Sequence, residues 1–111
     1  MIAFNPTGAI QSFTGANTAP TAVQAVSVNG ANTQQFCLTN TDQNNDCVVA
    51  WGQTAAGAAL NAVVASGSPN CYYLLARSQV IVTAADDAYF TGITPGSGVT
   101  AIIKVQPGYG L

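Results

Sequence analysis

The chain has 111 residues, of which only 5% are charged, whereas a typical domain carries about 25%. Two cations, Arg77 and Lys104, are too few to form a basic surface, which argues against nucleic-acid binding through phosphates. Histidine is absent, so neither a Ser–His nor a Cys–His catalytic pair can form. No stretch is long and apolar enough to span a membrane. We therefore expect a single domain that is not an enzyme and binds no cofactor.

Asn, Gln, Ser and Thr take the place of charged residues on the surface. Neutral amides and hydroxyls cost less to desolvate than charges do, so such a surface suits a protein that stays docked in an assembly. A freely diffusing cytosolic enzyme would be expected to carry more charge, because charge keeps proteins apart in solution.

Residues 1–20 are predicted to be an extended N-terminal arm, followed by a β-sandwich domain over residues 21–111. Turn-forming Pro, Gly and Asn recur in residues 1–20, and Phe4, Ile10 and Phe13 each stand alone among small polar residues there. These three side chains either pack on their own domain, with a strand fragment near Ile10 and Phe13, or dock into a neighbouring subunit.

Three strands are predicted between residues 21 and 53, at Thr21–Val28, Gln34–Asn40 and Cys47–Gln53. The second is the clearest, because Phe36 and Leu38 fall on one face and polar residues fall on the other. The second and third runs are separated by a polar loop and are expected to form a hairpin.

The segment Ala58–Ala65 is ambiguous, because its alanines favour a helix whereas Val63 and Val64 favour a strand. We predict a strand here, with a helical turn as the alternative. Four further strands follow at spacings of roughly 9–10 residues, each ending at a turn signal. They are Cys71–Leu75, Gln79–Thr83, Tyr89–Ile93 and Val99–Val105.

Short strands joined by polar connections are typical of a jelly roll or another Greek-key sandwich. The predicted fold is all-β: a single-domain, jelly-roll-like β-sandwich of about eight antiparallel strands with an extended N-terminal arm. The apolar side of each strand gives the predicted core, which consists of Phe36, Leu38, Val49, Trp51, Val63, Tyr73, Leu75, Val80, Val82, Ile93, Ile103 and Val105.

The run Asp42–Asp46 has the D-x-N-x-D start of a calcium loop. The glycine that such a loop requires is Cys47 here, and the closing glutamate is Gln53. The other interpretation is a hairpin loop made of good turn residues, and we predict no metal site. Asp86 and Asp87 are adjacent, and adjacent strand residues point to opposite faces, so they indicate a solvated loop.

Three cysteines, Cys37, Cys47 and Cys71, have spacings that match neither a zinc motif nor the disulfide framework of a secreted protein. Cys37 and Cys47 fall on predicted hairpin partners. They are either two half-buried thiols or a disulfide, and the sequence leaves this open.

The C-terminal part of the chain has a pattern of apolar and aromatic runs found in a known family. The runs that carry it are residues 72–75, 79–83, 88–94 and the ending 107–111, Pro-Gly-Tyr-Gly-Leu. Over roughly residues 34–111 the chain resembles the capsid cement, or head decoration, proteins of podovirus-like tailed bacteriophages. The resemblance implies a homotrimer on the outer capsid of the virion, where it clamps neighbouring subunits of the major capsid protein and has no catalytic residues.

If this resemblance holds, the arm and the C-terminal tail are expected to contact neighbouring subunits. The predicted contact residues are Phe4, Ile10, Phe13, Tyr109 and Leu111. Deletion of residues 1–13 is then expected to abolish capsid binding and to leave the fold intact.

Two alternatives remain open: a phage tail or fibre component, and a carbohydrate-binding β-sandwich module. Either would bind glycans through exposed aromatic side chains, and Tyr72, Tyr89 and Tyr109 are the candidates for a sugar-stacking platform. Aromatic residues on strands belong more often to a core or an interface.

Overall fold

The computed structural model of the protein describes residues 4–26, 35–62, 70–85, 87–96 and 98–109. Over this part of the chain it consists of β-strands in two sheets and one short helix. In chain order the elements are β1 (Asn5–Pro6), β2 (Gln11–Gly15), β3 (Val23–Gln24), β4 (Gln35–Asn40), β5 (Cys47–Gly52), α1 (Ala55–Asn61), β6 (Cys71–Leu74), β7 (Gln79–Thr83), β8 (Tyr89–Ile93) and β9 (Ala101–Tyr109).

The two sheets are antiparallel, and their strand order is that of a jelly roll. In the first sheet, β1 and β2 follow one another along one side of β9, and the order continues through β4 to β7. The second sheet has the order β3-β8-β5-β6. Successive strands alternate between the sheets from β2 to β5 and again from β6 to β9. This confirms the predicted all-β, jelly-roll-like sandwich.

The segment predicted as an arm contributes two strands to the first sheet. Asn5 of β1 lies opposite Tyr109, and Phe13 of β2 lies opposite Ile103. Between these strands, the N–H of Thr7 donates to the carbonyl of Pro107 at 2.9 Å. The prediction of a separate arm over residues 1–20 is therefore corrected, because residues 5–15 belong to the sandwich. Of the two alternatives for this segment, the strand fragment near Ile10 and Phe13 that packs on its own domain is the one that β2 matches.

The core lies between the two sheets and is centred on three aromatic side chains. The rings of Phe36 and Phe90, both fully buried, have centroids 4.9 Å apart, and the ring of Trp51 lies 6.1 Å from that of Phe90. The predicted core residues that the structure buries are Phe36, Leu38, Val49, Trp51, Val82, Ile103 and Val105. Val80 and Ile93 are half-buried, and Val63 lies outside the described residues.

The predicted inward face of β6 is wrong by one residue. Tyr73 and Leu75 are exposed, and Leu74 between them is buried in the core. Because the run Cys71–Leu75 is apolar or aromatic at every position, alternation could not select the buried side.

The segment Ala58–Ala65 was predicted as a strand with a helical turn as the alternative. Residues 58–61 of it form the second half of the short helix α1, so the strand prediction is wrong there and the alternative is correct, and residues 63–65 lie outside the described residues. Thr54 caps the helix: the Thr54 side-chain oxygen accepts a hydrogen bond from the N–H of Gly57 at 3.0 Å. The helix packs on the outer face of the second sheet at Gly52. A Cβ atom there would lie 2.8 Å from the backbone nitrogen of Ala58, so only glycine allows this close approach.

Candidate docking surface

The outer face of the first sheet is open to solvent over the part of the chain that the structure describes. Side chains alternate along its strands, and opposite residues share a face. Leu38 points inward opposite Val105, and the next residue, Thr39, points outward opposite Lys104. We call this outer surface the bare face. It consists of Ser12, Thr14, Gln35, Cys37, Thr39, Gln79, Ile81, Thr83, Ile102, Lys104 and Gln106.

The bare face is nearly free of charge. Lys104 is its one charged residue among those described, and the remaining side chains are hydroxyls, amides, a thiol and two isoleucines. Ile102 is 48% exposed. The Nε2 atom of Gln79 donates to the Oγ1 atom of Thr39 at 3.0 Å, so part of the surface is already organised by its own hydrogen bonds. Such a surface can be covered by a partner at a low desolvation cost.

A groove of about 230 Å³ runs across the bare face beside Ile10. Its lining residues are Ile10, Cys37, Thr39, Gln79, Lys104 and Gln106. Ile10 lies just before β2 and is 58% exposed. The Nε2 atom of Gln106 donates to the carbonyl of Gly8 at 3.3 Å, which ties the connection between β1 and β2 to the sheet. An apolar side chain therefore borders a polar groove.

The predicted contact residues fall in different environments. Ile10 is exposed at the groove, and Tyr109 is exposed at the end of β9. Phe4 is half-buried, and Leu111 lies outside the described residues. Phe13 is only 5% exposed and belongs to the core of its own domain, so its prediction as a contact residue is corrected.

The acidic loop Asp42–Asp46 is held by hydrogen bonds within the protein. The Oδ1 atom of Asp42 accepts from the backbone N–H groups of Asn44 and Asn45, both at 2.8 Å. These bonds hold the pKa of the Asp42 carboxyl below its ordinary value. The Oδ1 atom of Asp46 accepts from the N–H of Ala76 at 2.9 Å. The D-x-N-x-D pattern is therefore accounted for by the turn and by a hydrogen bond to the loop between β6 and β7.

The second acidic motif gives no paired carboxylates over the described residues. Asp86 lies outside them, and Asp87 is an exposed turn residue with φ of 58°. No group of three or more His, Cys, Asp and Glu side chains in the described part of the chain is placed to hold a metal ion.

Cys37 and Cys47 lie on opposite sides of the first sheet, and both are free thiols. Cys37 points outward on the bare face, whereas Cys47 is fully buried between the sheets. Burial raises the pKa of the Cys47 thiol to about 12. Its sulfur fills a space that a Cβ atom at Gly15 or Gly92 would enter, at 2.7 Å and 2.9 Å respectively. Cys47 therefore acts as a packing residue between Gly15 of the first sheet and Gly92 of the second.

The three candidate tyrosines do not form one platform. Tyr72 lies opposite Val49, on the inner side of the second sheet, and Tyr89 lies opposite Gly52, on its outer side. Tyr109 belongs to the first sheet. Tyr72 and Tyr73 are nevertheless exposed on β6, an edge strand of the second sheet.

Asn40 organises one end of the sandwich and was missed in the sequence, where it reads as the start of a polar loop. It is 1% exposed, and its Nδ2 atom donates to the carbonyls of Asn45 and Leu74. Its Oδ1 atom accepts from the N–H of Asp42 at 3.0 Å. Its position two residues after Leu38, on the inward side of β4, is the signal that could have revealed its burial.

Comparison with known proteins finds no matching family model, curated protein or solved structure. Among the described residues, no helix has the length and apolar character needed to cross a membrane.

Proposed function

We propose that this protein is a structural protein of a bacteriophage virion that decorates the outer capsid as a trimer. On this proposal it stabilises contacts between subunits of the major capsid protein. The proposal combines the sequence resemblance with the bare face. The jelly-roll fold agrees with it only by analogy, because lectin domains and cupins share the architecture with viral capsid domains.

The observation that carries the proposal is the almost uncharged outer face of the first sheet. A patch used for docking loses its hydration when the partner binds, and an unpaired charge there would be costly. Ile102 and Ile10 offer apolar contact area, while the threonine and glutamine side chains can bond to a partner directly or through water.

A decoration protein stabilises a capsid by mass action, because it binds the assembled lattice and not the separate subunits. Each copy needs to contribute only a small binding free energy, since many copies act on one shell. A low-charge surface is compatible with this role, because neighbouring copies repel one another little.

The proposal is tested with particles of the virus that encodes the chain, stripped of this protein and then mixed with purified protein. Sedimentation should show saturable binding of wild-type protein. Ile102→Asp, which places a charge on the bare face, should weaken binding tenfold or more, by an estimated ~1.4 kcal/mol or more.

The matched control is Leu60→Asp, which makes the same kind of change on α1, on the opposite side of the molecule. Leu60 is 79% exposed, and this variant should bind like the wild type. Light scattering of the purified protein should give the mass of a trimer. The proposal fails if wild-type protein does not bind particles, and the bare face is excluded as the docking surface if the two variants bind equally well.

A further inference from the structure

We infer that a cavity at one end of the sandwich is a binding site for a single neutral sugar residue. The cavity has a volume of about 330 Å³ and lies where β5 and β7 end. Its lining residues are Trp51, Gly52, Gln53, Asn70, Thr83, Ala84, Ala85 and Ala88. Its lining shares no residue with the bare-face groove, although Thr83 also belongs to the edge of the bare face, and the site does not depend on the proposed function.

The chemistry of the lining points to a small ligand that is rich in hydroxyl groups. The side chains of Gln53, Asn70 and Thr83 are amides and a hydroxyl, which both donate and accept hydrogen bonds. Trp51 and the three alanines supply an apolar wall for C–H groups. A sugar ring presents hydroxyls and C–H groups together, and the cavity volume is at the lower end of the range for ligand pockets.

The lining also excludes other ligand classes. It contains no charged side chain among the described residues, so a phosphate or a carboxylate would lose its hydration without gaining a counter-charge. A purely apolar ligand would cover the amide of Gln53 and the hydroxyl of Thr83 without offering them hydrogen bonds, which is costly.

The β5 side of the cavity is held in place before any ligand binds. The N–H of Trp51 donates to the carbonyl of Asn70 at 3.0 Å, and the Nδ2 atom of Asn61 donates to the carbonyl of Trp51 at 2.8 Å. Trp51 is 8% exposed, and its buried ring packs against Phe90. A fixed wall lowers the ordering cost of binding.

Trp51 is the one tryptophan of the chain, so its fluorescence reports directly on this cavity. We would titrate the protein with the methyl glycosides of glucose, galactose, mannose and N-acetylglucosamine and follow the emission. At least one should give a saturable change, with a dissociation constant on the order of 1 mM, as expected for so small a ligand. Glucuronic acid should bind at least roughly tenfold more weakly than glucose or not at all.

Thr83→Val keeps the shape of the side chain and removes its hydroxyl, so it should weaken binding roughly three- to tenfold. Thr14→Val makes the same change at a bare-face position that does not line the cavity and should leave the affinity unchanged. Amide NMR shifts of Gln53 and Thr83 provide a second readout that does not depend on fluorescence. The inference is overturned if neither readout responds up to the solubility limit, or if Thr83→Val and Thr14→Val bind equally well.

Discussion

The two outer faces of the sandwich differ in what lies on them. The bare face of the first sheet is open, and its strands β4 and β9 alternate strictly between buried and more exposed residues over most of their length. The outer face of the second sheet is covered at β5 by α1, and Cys47 through Trp51 are all buried. The same two-residue period therefore gives an alternating sequence in one sheet and a continuous apolar run in the other.

The residue types follow from this difference. Under the helix the strand carries Gly52, because the backbone of α1 leaves no room for a Cβ atom there, and Ala50 on the same face is fully buried. Nearby, Thr91 is fully buried, and its hydroxyl donates to the carbonyl of Pro20 at 2.9 Å. The bare face instead carries long amides and exposed hydroxyls, which need no cover. One outer face is covered by its own chain, and the other is open over the described residues.

The largest expected effect is on the free energy of unfolding, and it distinguishes a buried from an exposed side chain in the N-terminal part of the first sheet. Phe13→Ala should lower the free energy of unfolding by roughly 3–5 kcal/mol, because it empties part of the core. Ile10→Ala, at an exposed position three residues earlier, should change it by less than about 0.5 kcal/mol. Urea denaturation measures both. A small loss for Phe13→Ala would restore the view that this segment is an arm.

The next prediction compares how stability changes when one methyl group is added on each outer face. Gly52→Ala should destabilise the protein by roughly 1–3 kcal/mol, because the new Cβ collides with the backbone of α1. Ser12→Thr adds a methyl group on the bare face, where solvent accommodates it, and should stay within about 0.5 kcal/mol of wild type. Equal stability of the two variants, measured by chemical denaturation, would show that the helix does not cover the second sheet.

The buried thiol between the two faces gives a pH dependence. Burial raises the pKa of Cys47 to about 12, whereas an exposed thiol ionises near about 8.5. Below about pH 8.5 the thiol is protonated in both states, and its contribution to stability is fully present. Between these values only the unfolded state loses the proton. Stability should therefore fall as pH rises, by up to about 1.4 kcal/mol per pH unit.

This slope is measured from urea midpoints between about pH 8 and about pH 10. Cys47→Ala should flatten it, while Cys37→Ala, on the bare face, should keep most of it. Identical slopes for wild type and Cys47→Ala would rule out the buried thiol as the cause.

The smallest expected effect on stability again contrasts a buried position of the second sheet with an exposed position on the bare face. Thr91→Val removes the hydroxyl that donates to the carbonyl of Pro20 and should cost about 1–2 kcal/mol, because that carbonyl loses its buried partner. Thr14→Val, at an exposed position of the bare face, should be neutral within about 0.5 kcal/mol. Thermal or urea unfolding of the two variants decides this, and a neutral Thr91→Val would mean that Pro20 finds another donor, such as water.

Sequence reasoning succeeded where alternation was strict and failed where it was not. The strand at Gln35–Asn40 was predicted with its inward side correct, because Phe36 and Leu38 alternate with polar residues. The inward side of β6 was wrong because Cys71–Leu75 offers apolar candidates on both sides. These two cases show that the contrast between neighbouring residues carries the information, and not their hydrophobicity alone.

The remaining errors have a tertiary cause. The segment Ala58–Ala65 was predicted as a strand, with a helical turn as the alternative, because Val63 and Val64 outweighed the alanines. The cap at Thr54 and the space above Gly52 favour the helix Ala55–Asn61 instead. β2 was predicted only as a strand fragment near Ile10 and Phe13 and as one of two alternatives, because its outward residues are hydroxyls and its last inward residue is glycine, which makes room for Cys47. The bare face could not be predicted as one surface from the sequence, because only the register between neighbouring strands brings its residues together.

The most direct test of the bare face as the docking surface is the alkylation rate of Cys37, resolved by peptide mass spectrometry in free and particle-bound protein. Cys37 lines the groove of that face. A cysteine introduced by Leu60→Cys on α1 serves as the control. If the bare face docks on the capsid, binding should slow the alkylation of Cys37 severalfold and leave that of the Leu60→Cys thiol unchanged. An unchanged Cys37 rate at saturating occupancy would contradict the assignment.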